Sequence, residues 1–233
     1  MRSTRAALAV LLAHRPRHTP PPPSWPQVWW DDYIESGDHW TVVTGAGDCL
    51  HEPAAAAAYA GAYGLLLRTR ATGATEGDIL EVTQNCLPPT KNYLALSLQV
   101  RLPTKTNTAA VICALGITSG GHLYRANLMH LIASNKWQYT NWGGADVDVP
   151  AGGYTWPNNT WVALTLRLQV AALKYGTFDW PGGTADLSAQ GLWDVGVTAG
   201  SYAQARVRVV ASATPPATVH ADHFVLTHSP NPP

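Results

Sequence analysis

Apolar and polar residues alternate with a period of two along most of the chain that follows Trp40. In the segment NYLALSLQVRL every second residue from 94 to 102 is leucine or valine, and WVALTLRLQV repeats this from 162 to 170. Because successive side chains of a β-strand point to opposite sides of the sheet, this alternation predicts strands with one buried face. Eight further segments have strand patterns: AYGLLLRTR, DILEVTQ, AAVICALGIT, HLYRANLMHLIA, KWQYTNW, LWDVGVT, ARVRVVA and VHADHFVLT.

Short clusters of Gly, Pro and Asn separate these segments, among them LPPTKN, TSGG and PAGG. Such residues supply the fixed or positive φ angles that chain reversals need. The alanine run in EPAAAAAYAGAYG is the one helical pattern between them, and it is compatible with a short helix that ends at a glycine. Many strands without intervening helices predict an all-β, antiparallel β-sandwich that occupies residues 28–233 as one domain.

Three segments resemble the concanavalin-like and laminin-G-like jelly-roll β-sandwiches. WWDDYIESGDHWTVV is similar to the first strand of those folds, in which an aromatic and acidic motif precedes a tryptophan. NTWVALTLRLQVAALKYGTFD is similar to an alternating strand that turns into the next one, and VHADHFVLTH resembles the closing strand. The resemblance implies a jelly roll whose last strand lies beside its first. Such folds serve as lectins, glycanases, carbohydrate-binding modules and viral coat or tail components.

Residues 1–27 differ from this body in composition. Arg2 and Arg5 precede an apolar run at residues 6–13, which resembles the charged and apolar regions of a signal peptide. The run leads into HRPRHTPPPP, which is basic and proline-rich where a signal peptide has small residues and a cleavage site. A disordered tail is a second interpretation, because chain termini often lack fixed structure. The third is an assembly arm, a helix over about residues 2–13 followed by an extended polyproline strut.

An arm of this kind would be ordered only against another surface, because so short a helix is unstable alone in water. The simplest such surface belongs to a neighbouring subunit. The arm hypothesis assigns contacts to basic, apolar and proline residues: Arg2, Arg5, Leu8, Leu11, Leu12, Arg15, Arg17, Pro21 and Trp25.

The charge balance gives little reason to expect a nucleic-acid or lipid partner. Fifteen basic and fifteen acidic residues cancel, although the first thirty residues carry four arginines and no acid. The body is therefore mildly acidic, which disfavours wholesale attraction to polyanions. No apolar run approaches the ~20 residues that a membrane span needs. The cysteines are too few for a disulfide framework: Cys113 is expected in the core, and a bridge between Cys49 and Cys86 stays open.

The sequence offers no catalytic pattern. Glycan-cleaving members of the resembled fold carry Glu-x-Asp-x-x-Glu on one strand, because two carboxyl groups must flank the cleaved bond. The four glutamates of this chain do not form that spacing. The segment DILE places Asp78 and Glu81 on opposite faces of a strand, where a solvated strand edge is expected. We therefore predict that the protein is not an enzyme and has no catalytic residue.

Two segments have side chains that could begin a metal site. HADH places His220 and Asp222 on one strand face, with His223 on the other, and GADVDV places Asp146 and Asp148 on one face beside a glycine turn. A short histidine and aspartate match of this kind is more typical of an exposed or hydrogen-bonded strand face. Carboxylate oxygens are the ligands that calcium prefers, but ordinary acidic loops look the same. We predict no metal or cofactor, with calcium at Asp146 and Asp148 as the alternative.

Aromatic residues are the most distinctive part of the composition. Ten tryptophans and nine tyrosines stand against two phenylalanines, and many lie in or beside turns. Exposed rings could stack on the apolar faces of sugars or fill a subunit interface, whereas buried ones would belong to the core. The glycan or interface prediction covers Tyr139, Trp142, Tyr154, Trp156 and Trp180. The three tryptophans among them are flanked by Gly or Pro and are expected at the surface.

Two functions from different classes follow. The first is a structural assembly protein, most simply a virion component such as a capsid decoration or tail subunit, which its arm attaches to neighbouring copies or to other coat and tail subunits. The alternative is a secreted carbohydrate-binding module or lectin-like adhesin that binds cell-surface glycan. Both place the protein in a virion or outside the cell. A glycan hydrolase or lyase ranks below these, because the paired carboxylates are missing.

Overall fold

In a computed structural model, the chain forms two antiparallel β-sheets that pack face to face, which confirms the predicted all-β sandwich. The structure describes residues 27–32, 34, 39–45, 47–73, 75–212 and 216–231. All nine residues assigned to the arm lie outside this described part of the chain, so the arm stays a prediction.

The first sheet, called sheet A, has eight strands in the order β13-β12-β11-β6-β16-β4-β3, with β1 paired to β16. Its strands are β1 (Gln27–Asp32), β3 (Leu50–Ala54), β4 (Gly64–Arg68), β6 (Tyr93–Arg101), β11 (Trp161–Gln169), β12 (Lys174–Trp180), β13 (Gly183–Asp186) and β16 (Thr218–Ser229).

The second sheet, sheet B, also has eight strands, in the order β10-β9-β8-β7-β15-β5-β2, with β14 paired to β8. Its strands are β2 (Thr41–Gly45), β5 (Ile79–Cys86), β7 (Thr108–Ser119), β8 (His122–Leu131), β9 (Lys136–Thr140), β10 (Asp146–Gly153), β14 (Trp193–Val197) and β15 (Ala203–Ala211).

The alternation in the sequence sets the core between the sheets. In β6 and β11 the leucines and valines pair in register, Leu96 opposite Leu166 and Val100 opposite Val162, and their side chains are buried. The inner face of sheet B supplies residues such as Val111 and Leu115 from the central strand β7. Burial of such an aliphatic side chain stabilises a fold by about 1.5–3 kcal/mol relative to its exposure, so register and sidedness are strongly specified.

The closing strand lies beside the first strand, as the jelly-roll resemblance implies. Strand β16 pairs with β1 from Gln27 opposite His228 to Asp32 opposite Phe224. The predicted turn after the long alternating strand is also confirmed, because β11 pairs directly with β12. These pairings confirm the two strand neighbours that the resemblance implies.

The alanine run does not form the predicted helix ending at a glycine. Residues Ala55–Ala57 make a single 3-10 turn, which Ala58 ends. The carboxylate of Asp222 then accepts hydrogen bonds from the backbone N–H groups of Tyr59 (2.7 Å) and Ala60 (3.1 Å). A second 3-10 turn covers Lys105–Asn107, and no helix in the described ranges is long and apolar enough to cross a membrane.

The three cysteines are free thiols in the structure. Cys113 is buried in β7, as expected of a small core residue, and burial raises the pKa of its thiol to about 12. Cys49 and Cys86 do not form the bridge that the sequence left open.

Candidate functional site

A depression runs across the outer face of sheet B because the central strand carries small residues there. On β7, Ala114 lies between Arg206 of β15 and Asn127 of β8 in the hydrogen-bonding register. Gly116 lies in the same way between Gln204 and Arg125. The long side chains on either side therefore lean over β7 and meet above it.

Hydrogen bonds join these side chains across the depression. Arg125 Nη2 donates to Gln204 Oε1 at 2.9 Å, and Gln204 Nε2 donates in turn to Asn85 Oδ1 at 3.0 Å. Arg206 Nη1 lies 3.5 Å from Asn127 Oδ1, and Asn127 Nδ2 donates to Thr140 Oγ1 at 3.2 Å. These contacts fix the positions of the polar side chains before any ligand arrives, which lowers the entropy cost of binding.

A buried ion cluster lies at one end of this network. Glu81 on β5 is 3% exposed and Arg206 is 4% exposed, so both charges are removed from water. Glu81 Oε2 accepts hydrogen bonds from Arg206 Nη2 and, at 2.6 Å, from Arg208 Nε. The strand register explains both contacts. Glu81 lies directly opposite Arg208 in the pairing of β5 with β15, and Arg206 lies two positions before Arg208 on the same face of β15.

The cluster keeps its charges at neutral pH. Burial alone would raise the pKa of Glu81, but the charge and hydrogen bonds of Arg206 and Arg208 outweigh it and hold the pKa below its usual value. Burial, together with the nearby charge of Arg206, lowers the pKa of Arg125 to about 10. Since that value is still far above neutral, Arg125 stays protonated.

The other end of the depression is closed by a loop and by β14. Gly144 has a φ of +82°, and a Cβ at this position would lie 3.1 Å from Nε1 of Trp193. Only glycine fits both the left-handed backbone and the close approach of the indole. Trp193, half-buried, lies opposite Arg125 in the pairing of β14 with β8. Asp146 is exposed at the rim, where its Oδ1 accepts a hydrogen bond from Thr140 Oγ1 at 2.8 Å.

Together these groups line a cavity of about 200 Å³, which we call the polar trough. Its lining consists of Ile112, Asn127, Met129, Thr140, Gly144, Asp146, Trp193, Arg206 and Arg208. The trough combines charged donors, amide and hydroxyl groups and one indole, and a pocket with a few convergent polar groups is the usual form of a ligand site.

The predicted aromatic residues do not gather at this site. The predicted surface location is wrong for Trp156, which is fully buried, and for Trp180, which is 6% exposed. Trp156 packs edge-on against His130 at 5.3 Å, and Trp180 stacks on Phe178 at 5.1 Å between ring centroids. The flanking Gly and Pro residues turn the backbone there, but the rings fold back into the core.

The remaining three predicted aromatics also lie outside the trough lining. Tyr139 is buried on the inner face, edge-on to Tyr175, and Tyr154 is half-buried beside His130. Trp142 is 55% exposed, as predicted, and its ring stacks on Tyr124 at 5.8 Å. Binding of a glycan or a subunit by these five residues stays a prediction.

In the HADH segment, His220 and Asp222, which share a strand face, are both hydrogen-bonded. Asp222 is fully buried and, besides Tyr59 and Ala60, accepts from the N–H of His223 at 2.6 Å. Arg101 Nη2 donates to Nδ1 of His220 at 2.6 Å. Burial and the charge of Arg101 lower the pKa of His220 to about 4. Asp222 thus fixes the loop after the 3-10 turn to sheet A.

The two aspartates of GADVDV share a face, as expected, through pairing with Thr140 and Gln138. Asp148 accepts from Lys136 Nζ at 2.7 Å and Gln138 Nε2 at 2.8 Å, and these hydrogen bonds lower its pKa. Among the described residues there is no cluster of three or more His, Cys, Asp or Glu side chains suited to a metal ion. Calcium binding at this pair stays a prediction.

Sequence reasoning missed the residues that form the trough, except Asp146, which it named only as a candidate calcium ligand. Glu81 was expected at a solvated strand edge, yet it is buried between two arginines that follow it by 125 and 127 positions. Trp193 begins a short strand two positions after Gly191 and was not among the five predicted aromatic residues. One signal was available: the segment ARVRVVA places two arginines on one face of a strand whose other face is apolar.

Comparisons with known proteins address the fold. No protein-family model and no curated protein matches the chain. Among solved structures, the cellulose-induced protein Cip1 has a TM-score of 0.55 at 14% identity, with 87% of this chain and 97% of that one covered. A sialidase has a TM-score of 0.53 at 10% identity, covering 86% of this chain, which spans only 18% of the sialidase.

A conserved carbohydrate esterase of the Shiga toxin-encoding bacteriophage phi24B is also similar, with a TM-score of 0.50 at 12% identity and coverage of 88% of this chain and 100% of that one. Identities this low establish the fold alone. They confirm the jelly-roll β-sandwich of the concanavalin-like type that the three sequence segments resemble.

Proposed function

We propose that this protein is a non-catalytic glycan-binding module and that the glycan lies in the polar trough of sheet B. The trough itself is the observation that carries the proposal, because it offers guanidinium, amide, hydroxyl and carboxylate groups around one accessible indole. Sugars present many hydroxyl groups that donate and accept, together with apolar C–H faces that stack on aromatic rings. A preformed polar floor beside Trp193 suits both properties.

The fold supports the same ligand class. All three similar structures, the cellulose-induced protein, the sialidase and the carbohydrate esterase, have names that refer to carbohydrates. This support is secondary to the geometry, since one fold serves many functions.

The ionic state of Glu81 favours binding over bond cleavage. A glycosidase needs one carboxyl group that is protonated near neutral pH to act as the general acid. Glu81 instead has a lowered pKa and both of its arginine partners hold the same carboxylate oxygen. It therefore serves as a counter-ion that positions the arginines.

The test is a glycan array followed by calorimetric titration of the best ligand, with two matched tryptophan variants. Trp193 lines the trough, whereas Trp142 is an exposed tryptophan that does not. We expect Trp193→Ala to abolish measurable binding and Trp142→Ala to retain it. Loss in Trp142→Ala alone would move the site to the exposed aromatic surface, and the absence of any glycan ligand for the wild-type protein would refute the proposal.

A second candidate is the virion assembly subunit that residues 1–27 suggested. The similarity to an esterase of a bacteriophage favours it, because a glycan-binding sandwich on a virion surface would combine both functions. In either case we expect the protein to work outside the cell or on a particle. Mass measurement of the native protein, as monomer, closed oligomer or shell, separates the two candidates.

A further inference from the structure

The charges around the polar trough point to the chemical class of its ligand. We infer that the trough takes an acidic glycan, one whose sugars carry carboxylate or sulfate groups; this inference rests on the proposed function and deepens it. The guanidinium groups of Arg206 and Arg208 both bind the buried carboxylate of Glu81. A third guanidinium, that of Arg125, binds Gln204 and lies near enough for its pKa to respond to the charges of the cluster. The buried part of the site therefore holds an excess of positive charge, although the protein as a whole has none.

Asp146 does not cancel this excess. It is the one carboxylate among the lining residues, but it is exposed at the rim, where water and salt screen its charge. Arg206 is 4% exposed, so its charge acts through a medium of lower polarity and attracts an anion more strongly. A ligand anion that enters the trough would meet the arginines in the less screened region.

Two of the buried donors that lack an acceptor belong to arginines in or beside the trough. Within the described residues, no acceptor lies within hydrogen-bonding distance of Nε of Arg206 or Nε of Arg125, and both side chains are more than nine-tenths buried. Buried polar groups in folded proteins are nearly always paired, with protein, water or ligand. Arg206 lines the cavity, and a carboxylate or sulfate is the acceptor that a guanidinium binds best, in a two-bond fork.

The experiment compares oligosaccharides that share a backbone and differ in charge. The probes are oligoglucuronate against cello-oligosaccharides of the same length, oligogalacturonate against the corresponding galactose oligomers, and dextran sulfate against dextran. We expect at least one acidic member to bind roughly tenfold or more tightly than its neutral counterpart, and its affinity to fall as salt is raised. The uronate and sulfate pairs show which anion is preferred.

Three variants locate the effect. Arg208→Gln removes the more accessible guanidinium of the cluster, and we expect a loss of roughly tenfold or more for the acidic probe and little for a neutral one. Arg167→Gln is the matched control, because Arg167 also pairs with a carboxylate, that of Asp179, but on the outer face of sheet A. Asp146→Asn preserves the acceptor for Thr140 and should tighten binding of the acidic probe several-fold. This variant tests the inference if Arg208→Gln fails to fold.

The outcomes distinguish a failure of the acidic ligand class from a failure of glycan binding itself. Equal or better binding of the neutral oligosaccharides would overturn the acidic class while leaving glycan binding intact. Binding of neither series, with no glycan found on the array, would overturn both. Acidic binding that Arg167→Gln weakens as much as Arg208→Gln, or that Asp146→Asn leaves unchanged, would overturn the assignment to the trough.

Discussion

Replacing Glu81 by glutamine removes the charge that balances the buried arginines without changing the volume of the side chain. Arg206 then keeps its positive charge in a site where it is 4% exposed, whereas Arg208, at 29% side-chain exposure, can turn toward water. Breaking a buried ion pair by removing one partner costs about 3–5 kcal/mol, because the other charge is left without compensation. We expect the lower half of this range, about 3–4 kcal/mol, since one of the two arginines can be rehydrated.

The assay is urea unfolding of the wild type and Glu81→Gln, with linear extrapolation of the free energy to water. For a chain of this size, the expected loss corresponds to a fall in Tm of about 6–16 °C. The matched control is Asp179→Asn, which breaks the half-exposed pair with Arg167 and should cost no more than about 1 kcal/mol.

A double variant tests whether the charge itself is responsible. Glu81→Gln combined with Arg206→Met should recover part of the loss, because the uncompensated charge is then gone, and the two substitutions should show a coupling of at least about 1 kcal/mol. A cost below about 1 kcal/mol for Glu81→Gln, or strict additivity in the double variant, would show that water reaches the cluster. Either result would refute the reasoning that the charges of the cluster lie in a medium of low polarity.

Three further predictions follow. Burial holds the pKa of His130 at about 4, below the ~6.5 of an unfolded histidine, and burial together with the charge of Arg101 does the same for His220. Stability should therefore be complete above about pH 6.5 and fall by about 3 kcal/mol for each histidine at pH 4, as read from urea midpoints, and an unchanged midpoint at pH 4.5 would contradict this. Trp156→Ala should cost about 3–5 kcal/mol of folding stability, because the indole is fully buried, whereas a surface residue would cost almost nothing. Deleting residues 1–24 should leave the sandwich folded by circular dichroism but abolish assembly in a native mass measurement, and normal assembly of the truncated protein would remove the arm hypothesis.

The strands could be predicted from the sequence because their signal is local. The alternation in residues 94–102 and 162–170 sets both the strands and their buried faces, and β6 and β11 pair with these leucines and valines in register. The closing strand was placed beside the first by resemblance, and the pairing of β16 with β1 confirms it.

The trough could not be predicted because its contacts are distant in sequence. Glu81 meets Arg206 across 125 residues, and nothing within the segment DILE distinguishes a buried counter-ion from an exposed carboxylate. The depression itself depends on Ala114 and Gly116, small residues that are unremarkable until the strands on both sides are known.

Turn residues misled the prediction of exposed aromatics. A glycine or proline next to Trp156 or Trp180 indicates a reversal of the backbone, but the direction of the ring depends on what packs beside it. His130, Trp137 and Tyr154 surround Trp156, and Phe178 covers Trp180. Of the three, only Trp142, between β9 and β10, is exposed as predicted.

The central claim is that the outer face of sheet B holds a glycan, and nitrogen–proton NMR spectra of the protein titrated with the best oligosaccharide test it most directly. The account predicts that the indole signal of Trp193 and the side-chain amide of Asn127 shift progressively with added ligand, while the indole signals of the core tryptophans Trp137 and Trp156 do not. Shifts confined to the outer face of sheet A, or an indole signal that shifts for Trp142 but not for Trp193, would contradict it.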